Sequence, residues 1–148
     1  MKLTVEQLES IARDLESGFR VFIHRDSFEK IIVKDWRNDN SFSEEKWKDV
    51  LDELEKNHDK YIELEKLPQN ELFAVMEGFV DTLEEDSLKK QLELVISLTN
   101  PFTKFVEIIK SSAELKSKWI EFKHEGCIDW IRSQVHHYNM NSKKSGIE

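Results

Sequence analysis

The chain of 148 residues carries 22 basic and 30 acidic side chains, a formal net charge of −8, and is 39% hydrophobic and 35% charged. That balance excludes a disordered chain, and the length suits one ordinary domain burying roughly 70% of its unfolded surface without disulfide staples. A single cysteine excludes an internal disulfide and a multi-cysteine zinc site, and no aliphatic run approaches the ~20 residues that span a bilayer. The opening Met-Lys-Leu-Thr-Val-Glu-Gln has no apolar signal core, so a reducing cytoplasm is the expected location.

Thr4 and Gln7 form a capping-box pattern, and Leu8, Ile11, Ala12 and Leu15 recur at helical spacing until Gly18. From Phe19 the period changes to two. Phe19, Val21 and Ile23 share one strand face, Arg25-Asp26-Ser27 reads as a turn, and Phe28 to Val33 as the returning strand. Residues Asn38 to Ser41 read as a loop. Ser41 with Glu44 is a second capping box, ahead of Trp47, Val50, Leu51 and Leu54 on one helical face. Asp59 to Glu65 returns as a strand with Ile62 and Leu64 inward.

The remainder reads as helical. Leu72, Met76, Phe79, Val80 and Leu83 form one stripe, and Leu88, Leu92, Val95 and Ile96 a second. Asn100-Pro101 signals a third start, followed by Phe102, Phe105, Val106 and Ile109. Ser111 and Glu114 open a long helix through Leu115, Trp119, Phe122, Cys127, Trp130 and Ile131, in which Gly126 costs about 1 kcal/mol relative to alanine. The predicted fold is α+β: a small antiparallel sheet, from a hairpin over about 19–34 and a strand over about 60–65, packed with five to six helices. Its C-terminal part is all-helical. Residues 1–138 are expected to form a single domain and 139–148 a flexible polar tail.

Charge is unevenly distributed. Residues 41–100 hold 16 acidic against 7 basic side chains, whereas residues 101–148 hold 8 basic against 6 acidic. The acidic middle reads as solvated helix faces, and the less acidic C-terminal third is where a binding face is expected.

Two stretches carry a resemblance. Tyr61-Ile-Glu-Leu-Glu-Lys-Leu-Pro68 leads to Met76-Glu-Gly-Phe79, and Pro101-Phe-Thr-Lys-Phe105 leads to Trp119-Ile-Glu-Phe122 and Trp130-Ile131. Their order and spacing resemble the bacterial group catalogued as uncharacterised protein family 0158, over roughly residues 19–133. Lys104 stands where that group is expected to carry an arginine-containing pair, and the segment Lys123 to Cys127 is less charged. The resemblance implies a shared fold unit and a bacterial origin, and supplies no reaction.

Several constellations bear on chemistry. Glu55-x-x-His58 and Glu121-x-x-His124 have the spacing of helix-borne metal ligands, but a chain this rich in glutamate produces such pairs by chance, so no metal site is expected. Glu121, Glu125 and Asp129 recur every fourth residue. On so polar a helix they read as a solvated face, and Glu121, His124 and Glu125 stay as weak catalytic candidates. Cys127 lies three residues after His124 without an orienting third group, and reads as a packed thiol. His136 and His137 point about 100° apart on a helix and do not chelate one ion easily. Glycine-rich phosphate loops and a Gly-x-Ser-x-Gly elbow are absent from the sequence.

What remains is aromatic and basic. Trp119, Phe122 and Trp130 recur near Lys118, Lys123 and Arg132, and tryptophan and arginine often anchor interfaces; core packing is the plainer role for the indoles. The sequence therefore predicts a non-catalytic binding module using Tyr61, Trp119, Phe122, Lys123 and Trp130, with a protein partner or self-association and no cofactor. One alternative is an enzyme with an acid–base site from Glu121, His124 and Glu125. Another is a nucleic-acid-linked regulator using Lys104, Lys110, Lys118 and Lys123, which the net charge disfavours.

Overall fold

The computed structural model describes residues 1–34 and 44–144, with backbone alone at 44–46 and 142–144. Thr4 closes a reciprocal capping box with Gln7 and starts α1 (Val5–Glu16), whose Leu8, Ile11, Ala12 and Leu15 are buried. Gly18 follows at φ 90°, in the left-handed region that stops the helix and turns the chain into β1 (Phe19–His24). The period-two reading holds: Val21 and Ile23 are buried, and Arg20, Phe22 and His24 on the other face are half-buried.

The hairpin return departs from expectation. β2 is Lys30–Lys34, because Phe28 sits at φ 63° in the turn and is no strand residue. His24 organises this turn: its Nδ1 accepts from the backbone N–H of Asp26 at 3.1 Å and of Ser27 at 3.2 Å. Lys30 reaches back to Asp14 and Ser10 of α1. The predicted Asn38–Ser41 loop and the Ser41 cap lie outside the described residues. α2 is Glu44–Lys56, with Leu54 buried. A short 3₁₀ turn, His58–Lys60, takes up the start of the predicted third strand, leaving β3 as Tyr61–Leu64.

The sheet has the order β2-β1-β3, with both neighbours antiparallel to β1; Val21 is paired with Ile32 and Leu64. Arg20 binds both carboxylate oxygens of Glu63, at 2.8 and 2.7 Å, fastening β1 to β3 on the half-buried face.

Four helices follow: α3 (Gln69–Asp81), α4 (Ser87–Ile96), α5 (Phe102–Lys110) and α6 (Ala113–Lys144). Two caps differ from the sequence reading. The carbonyl of Pro101 accepts the first helical bond of α5, from Phe105 N at 2.9 Å, so proline takes the capping position and Asn100 lies one residue outside. Ser111 still belongs to the last turn of α5, its hydroxyl donating to Ile108 O. Ser112 therefore caps α6, accepting from Leu115 N at 3.3 Å. Val106, expected in the α5 stripe, is 39% exposed, while Phe105 and Ile109 are buried.

α6 runs unbroken through Gly126, where a Cβ would fall 2.9 Å from a methyl of Val75 on α3. It also runs through residues 139–144, where composition predicts a tail; Asn139 there bonds the backbone carbonyl of Met1 at 2.8 Å. The expected α+β class holds.

The chain gathers into two compact units, Met1–Lys66 with Ile128–Glu148, and Leu67–Cys127. The first contains the sheet, α1, α2 and the second half of α6. There Trp130 Nε1 and Gln134 Nε2 donate to Glu65 O at 3.2 and 3.0 Å, and Gln134 Oε1 accepts from Glu65 N at 2.8 Å. The backbone just past β3 thus meets side chains of α6 in place of another strand. The second unit is built on Met76, Phe79, Val80, Leu92, Val95, Phe105, Ile109, Leu115 and Trp119.

Candidate functional site

In the second unit the end of α3, the start of α4 and the first turns of α6 enclose an open cavity of about 630 Å³, within the range of ligand-binding clefts. Its position follows from local sequence. α3 ends at Asp81, with the Thr82 hydroxyl donating to Phe79 O at 2.6 Å, and α4 restarts where Asp86 caps it by accepting from Lys89 N at 2.9 Å. The connection between them places Leu83 and Glu84 on the cavity. On α6, Glu114, Lys118, Glu121 and Glu125 recur at four, three and four residues, one continuous face along the opposite wall.

The floor is apolar and the rim acidic. Phe79, Leu83, Leu88, Leu115 and Phe122 supply the floor; Glu84, Asp86, Glu114, Glu121 and Glu125 supply five carboxylates, against the single ammonium of Lys118. Lys118 is already engaged with Glu114 at 3.1 Å. Phe122 leans on Phe79, ring centroids 5.5 Å apart, and is half-buried, so part of its face stays available. Among the described residues no group of three or more His, Cys, Asp or Glu side chains could hold a metal ion.

The structure separates the residues singled out from sequence. Trp119 is 8% exposed and meets Phe79 and Phe105 edge-on, at 5.2 and 5.0 Å. It is a core residue of the second unit. Phe122, Glu121 and Glu125 share the cavity, whereas neither Lys123 nor His124, both half-buried, lines it. Tyr61 and Trp130 belong to the first unit, the indole half-buried with its N–H on Glu65 O. Tyr61 meets His24 edge-on and donates to Glu53 at 3.3 Å; burial, then the carboxylate of Glu53, pushes its phenol above the usual value of 10.0. Asp129 belongs to the first unit, where it forms an ion pair with Arg132 at 3.4 Å. Cys127 is buried. Of the four lysines of the nucleic-acid reading, Lys104, Lys110 and Lys118 are exposed.

Sequence reading missed Glu84 and Asp86, and placed Leu83 and Leu88 only in apolar helix stripes. Glu121 and Glu125 were visible at helical spacing, with Asp129 as their third member; Glu84 and Asp86 across the cavity come from the connection between α3 and α4, which periodicity does not register.

The model of Uncharacterised protein family (UPF0158) matches residues 14–145. The chain belongs to this family. The match to UPF0158 runs from the end of α1 to α6, and so takes in most of the first unit, all of the second and the cavity. The family description states no activity. No curated protein and no solved structure matches the chain. No helix among the described residues is long and apolar enough to cross a membrane.

Proposed function

We propose that this member of UPF0158 is a non-catalytic binding domain that docks a protein partner in the cavity formed by α3, α4 and the first half of α6. The observation carrying this reading is the pairing of a half-buried aromatic floor around Phe122 with an open, charged rim. Interfaces are built this way, with an apolar anchor point ringed by polar groups that set register and orientation. The acid–base alternative draws on Glu121 and Glu125 lining one cavity. Both are exposed, and His124 does not line that cavity, so the burial that differentiates paired carboxyls in acid–base sites is lacking.

The test is site-specific photocrosslinking in the source cells. Lys118→p-benzoylphenylalanine puts the reactive ketone on the rim without removing a carboxylate, and Lys104→p-benzoylphenylalanine puts it on α5, outside the cavity. The expected result is a discrete adduct from position 118 and none from position 104. Equal adducts from both positions, or none from either, would refute a docking role for the cavity.

A further inference from the structure

We infer that the occupant of this cavity is a short lysine- or arginine-rich segment of another protein carrying one apolar anchor side chain. The inference rests on the docking reading above and specifies its chemistry.

Three features narrow the occupant. The first is sign. Five carboxylates face the cavity, and the one ammonium among them is paired with Glu114, so a phosphate, a nucleic acid or an acidic peptide would meet repulsion on entry. The second is spread. From Glu114 to Glu125 the rim runs about 16 Å along α6 at 1.5 Å per residue, and no three carboxylates converge on a point that could hold a metal ion among the described residues. A distributed row of charges matches a distributed row of cations, about five residues of extended chain at 3.3 Å each. The third is the floor. Phe122, Leu83 and Leu88 are half-buried and apolar, and a purely polar polycation would leave them uncovered. A segment with cations flanking one aliphatic or aromatic side chain satisfies rim and floor together. Because the rim is exposed, the charge contribution is screened within about 8 Å at physiological salt; binding weakens steeply as salt rises.

The experiment measures fluorescence anisotropy with the full chain and four probes. These are a rhodamine-labelled short peptide with lysines flanking a central phenylalanine, its counterpart with glutamates for lysines, its counterpart with serine for phenylalanine, and spermine as a competitor. Glu121→Lys with Glu125→Lys reverses the rim. Glu93→Lys with Glu107→Lys makes the same change in net charge at exposed positions outside the cavity. Circular dichroism confirms that both pairs stay folded.

The lysine–phenylalanine peptide is expected to bind, to weaken about tenfold or more on rim reversal, and to change less than about twofold with the control pair. The serine counterpart is expected to bind several-fold more weakly. Equal weakening by the two variant pairs overturns the inference, as does spermine displacing the peptide at equal concentration. If the glutamate peptide binds best and depends on its phenylalanine, the basic occupant is wrong and docking stands. If no peptide binds while Lys118→p-benzoylphenylalanine still captures a partner, the inference falls alone; if neither happens, both fall.

Discussion

Gly126 gives the most discriminating test of the packing described here. Glycine inside a helix costs about 1 kcal/mol relative to alanine, so Gly126→Ala on an open helix would stabilise the protein. At this position the added Cβ would lie 2.9 Å from one methyl of Val75, 3.4 Å from the other and 3.8 Å from the Val75 Cβ. A valine in a helix has one strongly preferred rotamer, so those methyls do not swing aside, and overpacking of this kind costs about 1–3 kcal/mol. The two effects together predict a net loss of about 0–2 kcal/mol for Gly126→Ala in the native background. In a Val75→Ala background the obstruction is gone, and the same substitution should gain about 1 kcal/mol. Urea unfolding followed by circular dichroism, over the four proteins of the cycle, reads the coupling directly. If Gly126→Ala stabilises by the same amount in both backgrounds, close approach of α3 is not why glycine stands there.

Two other outcomes follow from burial. Trp119→Ala should lower the unfolding free energy by about 3–5 kcal/mol, and iodide should quench Trp119 less than Trp130; the Trp119→Phe and Trp130→Phe proteins compared with the parent check the order, and a more quenchable Trp119 would contradict its place in the core. For Tyr61, the folded chain holds the phenol protonated to higher pH than the unfolded chain does. Its contribution to stability is therefore intact below the unfolded value near 10 and disappears as pH rises through the folded value. In a Tyr138→Phe protein, where Tyr61 is the remaining tyrosine, absorbance at ~295 nm should report an ionisation midpoint above 10.0; a midpoint at or below it would be contrary.

The parts of the fold that were legible in sequence are those governed by local pattern. Thr4 with Gln7, the alternation from Phe19, and the stripes through Met76, Phe79 and Val80 or Leu92 and Val95 each translate one physical rule into one element. Errors came where two local rules competed. Ser111 and Ser112 are both good caps, and only the extent of α5 decides between them. Phe28 has strand propensity, yet the hairpin turn needs a left-handed residue there. The candidate site was legible in half. Charge summed along the chain pointed to a near-neutral C-terminal third, but folding brings Glu84 and Asp86, from the acidic middle, beside Phe122 of that third. Charge asymmetry in sequence is therefore not charge asymmetry in space.

The division of α6 between the two units bears on how the chain is assembled during synthesis. Leu67–Cys127 is, in covalent terms, an insertion within the other unit, whose remaining piece begins at Ile128. The inserted unit is contiguous and can close its core as soon as its own residues have emerged. The backbone of Glu65, by contrast, waits for Gln134, 69 residues later, and that closure carries the entropy of the whole intervening stretch unless the insertion has already folded and shortened it. A nascent chain halted after Cys127 would therefore expose the edge beyond β3, so the order of emergence favours the acidic cavity forming first and the sheet being sealed last.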